Sequence, residues 1–250
     1  MSLLEIENVT RRFGGLVAVD DVTTRVEAGE LVGLIGPNGA GKTTLFNLIS
    51  GFTALTSGAV RFKGAAIDGS KPHAIAARGM SRTFQNLRVF PNMSVFDNVS
   101  VGSVGAMGQS AFAAVFGRRG RSDAISARTW EALERVGLAE QSEELAANLS
   151  YGKRKYLEIA RALAMRPDLL ILDEPAAGLN DSETAELARF IRTLNDDGLA
   201  VMLVEHDMNL VMGICSRVVV LASGRKIADA EPAVVRADPA VLEAYLGVDE

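Results

Sequence analysis

A short run near the start of the chain combines residue types that bind phosphate. Residues 36–44 fit the pattern G-x-x-x-x-G-K-[ST] and lie between an apolar strand at 31–35 and a helical segment. The glycines let successive backbone N–H groups point at phosphate oxygens. Lys42 adds a charge for the terminal phosphates, and the Thr43 hydroxyl can ligate Mg²⁺. The residues of this phosphate loop are Gly36, Pro37, Asn38, Gly39, Ala40, Gly41, Lys42, Thr43 and Thr44.

Two acids, Asp173 and Glu174, follow a second apolar run at 169–172. Ligands of open parallel sheets bind at the carboxyl ends of the strands, so we expect Asp173 to hold the metal, directly or through water. Neighbouring strand residues point to opposite sides, so Glu174 is free to polarise a water for in-line attack on a γ-phosphate. A base beside a metal ligand favours hydrolysis. The alternative, a strand ending in solvated acids, is disfavoured beside a phosphate loop.

Three more side chains are candidates for the same site. Gln85 follows a short extended run and can reach metal or water with its amide oxygen. His206 ends the apolar strand AVMLVEH and can donate a hydrogen bond to the γ-phosphate. Phe13, ahead of two glycines, can stack on adenine. Each residue also has a structural interpretation, since such side chains are often satisfied within the fold or buried in a core.

The stretch LSYGKRKYLEIARAL at 149–163 carries its charges at the unexpected end of a helix. Ser150 is a good N-cap, and Gly152 permits close approach of a partner. Three cations then fill the first turn, where the helix dipole disfavours positive charge, so we expect an anion to dock there. Glu158 can offset the repulsion through a pair at helical spacing. A capped surface helix with an awkward charge pattern is the competing interpretation.

These residues require an α/β fold to position them. Alternating segments at 3–9, 22–26 and 59–67 predict an antiparallel sheet, and the solid apolar blocks LVGLI, LLIL, LAVMLV and RVVVL predict parallel strands joined by helices. Strand patterns fade from about 88 to 148, where helical spacing predicts an inserted lobe with GRRGR at 117–121 as a solvated loop. A short helix follows Pro239.

Composition and charge exclude several classes of protein. The 250 residues carry a net charge of −5, which argues against a general nucleic-acid binder. The single cysteine, Cys215, fits a reducing compartment and reads as a small buried residue. We find no apolar run long enough to span a bilayer and no signal-peptide pattern. These features predict a soluble cytoplasmic protein.

The motifs in this order resemble the ATP-binding subunit of an ABC transporter. The resemblance is carried by the phosphate loop, Gln85, LSYGK, LLILDEP, AAGLN and VEHD, and it spans nearly the whole chain. It implies an α/β P-loop NTPase core with a mostly parallel sheet, an N-terminal antiparallel β subdomain and an inserted α-helical subdomain. It also implies one domain over 1–250, with the core at about 1–87 and 151–250 and the helical subdomain at about 88–150.

The same resemblance implies the role of each residue. ATP and Mg²⁺ are the expected ligands, with Phe13 at adenine, the phosphate loop at the phosphates, and the metal at Thr43, Gln85 and Asp173. Glu174 is then the catalytic base and His206 contacts the γ-phosphate. Ser150 and Gly152 act on the nucleotide of a second subunit in a head-to-tail dimer.

Further partners are implied in turn. They are transmembrane permease subunits, indirectly an extracytoplasmic solute-binding protein, and no nucleic acid, which places the chain on the inner face of the cell membrane. Val89, Phe90 and Met93 suit a groove for a permease helix, or packing within the lobe.

Three positions depart from the family pattern. Tyr151 replaces the first glycine of the LSGGQ signature, Lys153 replaces its glutamine, and Asn180 stands where aspartate is common. Tyr151, AAGLN and the closing EAYLG resemble the branched-chain amino acid importers, while urea or short-amide importers look similar.

Two other functional classes remain as alternatives to a transporter subunit. They are an ABC-type ATPase that works without a transporter and a small-molecule kinase. The first usually has basic surfaces or tandem additions, and the second an arginine-rich lid.

Overall fold

The computed structural model of the chain describes residues 2–85, 87–106 and 118–246. Within these ranges the strands are β1 (Ser2–Phe13), β2 (Leu16–Glu27), β3 (Leu31–Ile35), β4 (Ser57–Phe62), β5 (Ala65–Ala66), β6 (Met80–Arg82), β7 (Leu169–Asp173), β8 (Ala200–Val204), β9 (Arg217–Ala222) and β10 (Arg225–Ala230). The helices are α1 (Lys42–Ile49), α2 (Pro72–Ala77), α3 (Val95–Ala106), α4 (Arg118–Arg135), α5 (Tyr151–Leu163), α6 (Asp181–Asp196), α7 (Met208–Ile214), α8 (Pro232–Ala237) and α9 (Pro239–Leu246).

The strands form two sheets. The smaller sheet is antiparallel with the order β2-β1-β4-β5. The larger has the order β10-β9-β3-β8-β7-β6, in which β10 alone pairs antiparallel to its neighbour. Parallel pairing places the carboxyl ends of β3, β7 and β8 at one edge, which is the edge predicted to carry the phosphate loop and the acids.

The large sheet is covered on both faces, which explains its solid apolar strands. Leu170 and Leu172 of β7 pack into one cluster with α5, α6 and the helices of the lobe. Leu169 and Ile171 point the other way, into a cluster shared with α1 and the small sheet. The side-chain period of two thus builds two cores from one strand.

The predicted strands and helices are confirmed, with differences at their ends. The segment predicted as one strand at 59–67 is a hairpin, because the chain turns at Lys63 and Gly64 with positive φ. The predicted strand at 22–26 begins earlier, at Leu16. Strand β10 and the short helices α2 and α8 were not predicted.

The lobe contains α3 and α4, and its predicted helical character is confirmed. The prediction of a solvated loop at 117–121 is wrong for residues 118–121, which form the first turn of α4. Residue 117 lies outside the described residues. The centres of the Trp130 and Phe96 rings lie 5.3 Å apart within the lobe, and Trp130 keeps part of its surface exposed. In the described ranges, no helix is long and apolar enough to cross a bilayer.

Candidate nucleotide site

The phosphate loop joins β3 to α1. Its Gly41 has a φ of +99°, and a side chain there would meet the Ala18 carbonyl oxygen at 2.4 Å, so both the conformation and the space require glycine. The buried Lys42 donates hydrogen bonds to the carbonyl oxygens of Gly36 at 2.6 Å and Pro37 at 3.0 Å. Burial lowers the pKa of Lys42, against the opposing effect of Glu174 and Asp173. The lysine is therefore held across its own loop.

An open cavity of about 530 Å³ lies over this loop. Gln85 and Glu174 also line it, as predicted, while Thr43 and Thr44 lie at the start of α1. Two of its walls were not predicted: residues 16–18 of β2 and the turn Ser223–Gly224 between β9 and β10. Gly224 donates its backbone N–H to the Ala40 carbonyl oxygen at 3.1 Å. This turn braces the loop from a segment almost two hundred residues away.

Asp173, the last residue of β7, is buried and forms an ion pair that was not predicted. Arg82, at the end of β6, places its Nη2 atom 2.8 Å from Asp173 Oδ2, and both side chains are less than a tenth exposed. Arg82 also donates to Asn47 Oδ1 on α1 at 2.9 Å and to Ser50 Oγ, at the C-cap of α1, at 2.8 Å. One guanidinium thus connects the strand of the acids to the helix of the phosphate loop.

Glu174 lies just after β7 in the left-handed region, with a φ of +48°. Its direction is therefore set by this strained backbone, and the strand alternation used to predict it does not apply. Its backbone N–H is held by the Val204 carbonyl oxygen at 2.9 Å. Gln85 Nε2 donates to Glu174 Oε2 at 2.9 Å, which brings these two predicted site residues into direct contact.

His206 and its neighbour Glu205 follow β8 at the same edge. The His206 side chain is 65% exposed, so it is free to meet a ligand. Glu205 is buried and was not predicted. It accepts hydrogen bonds from the backbone N–H groups of Ala176 at 2.8 Å and His206 at 3.2 Å. Burial raises its pKa, and these two N–H groups and the His206 side chain oppose the shift.

Phe13 lies at the end of β1, 45% exposed. The Arg11 guanidinium lies 4.4 Å from the centre of its ring and covers one face. The exposed Leu16, three residues further on, lines the cavity instead. The structure therefore leaves one face of Phe13 available for stacking but places it at the margin of the site.

The predicted metal ligands fit a hard divalent cation that keeps several of its waters. Among the described residues, no group of three or more His, Cys, Asp and Glu side chains could hold a metal. Thr43, Gln85 and Asp173 instead offer one hydroxyl, one amide and one carboxylate oxygen at the edge of the phosphate loop. Magnesium is commonly bound by one or two protein oxygens together with water and substrate phosphates, which suits this set.

The helix α5 begins as predicted, since the Ser150 hydroxyl accepts the backbone N–H of Lys153 at 3.3 Å. The three cations of its first turn point to different sides of the helix and differ in burial. Lys153 is exposed, but Lys155 is buried and donates to the Glu174 carbonyl oxygen at 3.3 Å. Glu158 is buried and pairs with Arg161 at 3.7 Å. Fewer cations therefore face a docking anion than the sequence suggested.

Ser150 and Gly152 lie apart from the cavity, whose lining within the described chain comes from other segments. Ser150 is exposed at the tip of its helix, and Gly152 is half-buried against Glu183. The single chain thus holds the phosphate loop, Asp173, Glu174 and Gln85 together, and presents the signature residues on a separate surface.

Comparisons with known proteins agree with this geometry. The model of the ABC transporter family matches residues 19–177, and the model of the branched-chain amino acid ATP-binding cassette transporter matches 225–250. The chain is 43% identical to the high-affinity branched-chain amino acid transport ATP-binding proteins BraF of Pseudomonas aeruginosa and LivG of Escherichia coli, over 98% of this chain and of each relative.

Solved structures confirm the predicted fold class. A nucleotide-free ATP-binding cassette from an ABC transporter superposes with a TM-score of 0.86 at 30% identity, covering 98% of this chain and 99% of the other. An ADP conformation of such a cassette gives the same score and identity over 99% of both chains. Family model, relatives and fold agree. The chain belongs to the ABC transporter family, as one of its ATP-binding cassettes.

Proposed function

We propose that this ATPase powers an importer of branched-chain amino acids. The observation that carries the proposal is the identity of 43% along almost the whole chain to BraF and LivG, which are named for branched-chain amino acid transport. The match of residues 225–250 to a branched-chain amino acid cassette model supports the same substrate class. In this proposal the chain binds permease subunits at the inner face of the cell membrane, and a solute-binding protein delivers the amino acid outside.

The site geometry supports hydrolysis. The phosphate loop and Lys42 hold the phosphates of ATP, and Phe13 stacks on its adenine. Water attacks the γ-phosphorus, the bond to the bridging oxygen breaks, and ADP and inorganic phosphate result. Glu174 accepts the proton of the attacking water, and its contact with Gln85 at 2.9 Å fixes the carboxylate. His206 donates to the γ-phosphate from its exposed position.

Magnesium, when bound with ATP, neutralises developing charge on the phosphate oxygens. Thr43, Gln85 and Asp173 are the residues that would hold it. The role of the chain itself is to keep these oxygens in place, and the ion pair of Arg82 with Asp173 does this for the carboxylate. Because both side chains of the pair are buried, the carboxylate has few alternative positions.

The exposed signature residues support a head-to-tail dimer. Ser150 and Gly152 lie outside the cavity of their own chain, and the start of α5 presents the positive end of the helix dipole and Lys153 to an anion. A nucleotide held by a second subunit supplies that anion. Each ATP is then enclosed by two chains, and hydrolysis removes the charge-assisted contacts that keep them together.

The permease is expected to dock beside the segment that follows Gln85. Phe90 is 45% exposed there, while Val89 and Met93 are half-buried. The Asn98 side chain bonds to the backbone N–H and carbonyl oxygen of Phe90, at 2.8 and 3.0 Å, which fixes this apolar residue at the surface. An exposed aromatic side chain on a fixed backbone suits an apolar helix of the partner.

The dimer is tested with Glu174→Gln, which should bind ATP without turning it over. We expect this variant to elute as a dimer with ATP and Mg²⁺ and as a monomer without nucleotide, measured by light scattering after size-exclusion chromatography. Glu231→Gln is the matched control, since it changes an exposed carboxylate outside the cavity and should not retain ATP. A Glu174→Gln protein that stays monomeric with bound ATP contradicts self-pairing.

The transported solute is tested in cells that lack this chain. Restoring the wild-type chain should restore uptake of labelled leucine, isoleucine and valine, and restoring Glu174→Gln should not. Uptake of labelled urea serves as the comparison. Rescue of urea uptake with no effect on the three amino acids would overturn the assigned substrate class and leave the ATPase assignment intact.

A further inference from the structure

Tyr151 of the signature motif contacts the segment Glu174–Asn180 of its own chain. Its hydroxyl donates a hydrogen bond to the Ala177 carbonyl oxygen at 3.2 Å. The same segment begins with the base Glu174 and ends with Asn180, whose side chain and Glu183 form a capping box that starts α6. The hydroxyl therefore joins the exposed tip of α5 to the backbone between the catalytic carboxylate and the next helix.

The Tyr151 ring fits against a glycine. Gly178 has a φ of +81°, and a side chain built there would lie 2.9 Å from the ring atom Cε1 and 3.2 Å from the hydroxyl oxygen. The missing side chain of Gly178 is thus what lets the ring lie against the backbone. Gly152 packs with similar closeness, since a side chain there would meet Glu183 Oε1 at 3.1 Å.

A second contact reinforces the first. Lys155, one turn after Tyr151, is buried and donates to the carbonyl oxygen of Glu174 itself at 3.3 Å. Its ammonium lies 5.7 Å from the centre of the Tyr151 ring, within reach of a cation–π attraction. The tip of α5 is therefore fixed to both ends of the turn Glu174–Ala177. The turn itself is closed by a hydrogen bond of 3.2 Å from the Ala177 N–H to the Glu174 carbonyl oxygen.

We propose that Tyr151 is a positioning residue that fixes the segment Glu174–Asn180 to the signature motif of the same chain. A glycine, which the wider family has at this position, offers neither the ring nor the hydroxyl. The two surfaces then move as one body. The link rests on contacts within one chain, and its consequence for turnover rests on the dimer of the proposed function.

In that dimer the link connects two nucleotides. Ser150 of one chain contacts the ATP held by its partner, while Glu174 of that same chain acts on its own ATP. Movement of Ser150 is transmitted by Tyr151 and Lys155 to the backbone that carries Glu174. Turnover at one nucleotide thus depends on how the signature motif is seated at the other.

Hydrogen exchange in the nucleotide-free single chain tests the link directly. The reporters are the amides of Ala177 and Leu179, which bond to Glu174 and Ala176 within the turn. We expect Tyr151→Phe to raise their exchange about fivefold, the effect of one typical hydrogen bond, and Tyr151→Gly to raise it roughly tenfold or more through loss of the ring.

The matched control is Tyr156→Phe on the same helix, whose ring packs 5.4 Å from that of Phe190. It should leave the amides of the turn unchanged, and the amides of α5 should report that the helix itself is intact in Tyr151→Phe. Unchanged exchange of the turn in both Tyr151 variants overturns the proposal, as does an equal rise in Tyr156→Phe.

Turnover gives a second readout. Tyr151→Phe should lower kcat for ATP about fivefold with KM unchanged, because the phosphate loop is untouched. A rise in KM with kcat preserved would contradict a positioning role. The hydrogen-exchange result does not depend on whether two chains form a dimer. Dimer formation is tested separately by the association of Glu174→Gln. Failure of the link and failure of the dimer are therefore distinguishable.

Discussion

The two functional surfaces of this chain differ in completeness. At the carboxyl edge of the large sheet, Lys42, Asp173 and Glu174 each contact at least one other part of the fold before any ligand arrives. At the tip of α5, Ser150 and Lys153 are exposed, and the Ser150 hydroxyl accepts only a local hydrogen bond in the described structure. The side chains of the first surface are already held in place before a nucleotide binds, whereas the second surface leaves Ser150 and Lys153 exposed, as the proposed dimer requires.

This difference indicates that ATP binding and association of two chains depend on different surfaces. A preorganised site loses little conformational entropy when ATP binds, so we expect one chain to bind ATP by itself. The exposed surface gains charge-assisted contacts only when a partner supplies an anion. If the comparison is right, changes in the first region alter stability and nucleotide binding, and changes in the second alter association and turnover.

Removing the buried ion pair should have the largest effect. In Arg82→Met the Asp173 carboxylate loses its cation while it stays buried, and we expect the free energy of unfolding to fall by about 3–5 kcal/mol. Urea denaturation measures this. Arg61→Met is the control, because its ion pair with Glu7 is exposed and is expected to contribute less than about 1 kcal/mol. Equal stability of the two variants would show that the first region is not held by this pair.

The next prediction compares two lysines, one from each surface, by their effect on ATP binding. Lys42→Ala removes the cation across the phosphate loop and should lower kcat/KM for ATP by about 10²–10³-fold. Lys153→Ala removes the exposed cation of the second region. It should leave the affinity of the monomer for a fluorescent ATP analogue unchanged, while Lys42→Ala weakens it. Equal losses of monomer affinity would mean that Lys153 also binds the nucleotide of its own chain, and the two surfaces would then not differ in function.

Ser150→Ala is expected to have a smaller effect on stability and a selective one on turnover. Loss of the N-cap of α5 costs about 1 kcal/mol. ATP affinity of the monomer should not change, but kcat should fall by roughly tenfold, since in the proposed dimer Ser150 contacts only the nucleotide of the partner. Ser150→Thr is the matched control, because threonine keeps the hydroxyl. A loss of monomer affinity in Ser150→Ala would contradict a role in trans.

The local motifs were predictable from sequence because adjacent residues carry their chemistry. The phosphate loop needs only a run of nine residues between a strand and a helix, and Asp173 and Glu174 are recognised by the apolar run before them. The solid apolar strands also predicted a sheet covered on both sides. Each of these inferences depends on short-range pattern alone, and the structure confirms the sheet.

The supporting residues could not be predicted, because tertiary contacts define them. Arg82 meets Asp173 across 91 positions of sequence, and Gly224 reaches the phosphate loop from the far end of the chain. The orientation of Lys155 depends on the Glu174 carbonyl oxygen, which no charge pattern reveals. A weak signal was present for Glu205 alone, since an acid between an apolar strand and His206 suggests a buried partner.

The smallest expected effect concerns this buried acid. Burial raises the pKa of Glu205 above the unfolded value of 4.5, so the native chain binds this proton more tightly than the unfolded chain does. Its contribution to stability is therefore complete below pH 4.5 and is lost as pH rises through the folded pKa. Glu205→Gln cannot ionise. Relative to the wild type, the free energy of unfolding of this variant should therefore increase as pH rises. Urea denaturation at several pH values measures this difference.

The matched control substitution is Glu186→Gln, which replaces an exposed carboxylate on α6 and is measured under the same conditions. Glu205 accepts the N–H groups of Ala176 and His206, so its ionisation acts on the preorganised region. Association through Ser150 should then show no matching change between wild type and Glu205→Gln. A pH-dependent difference in association with none in stability would mean that the acid supports the exposed surface instead.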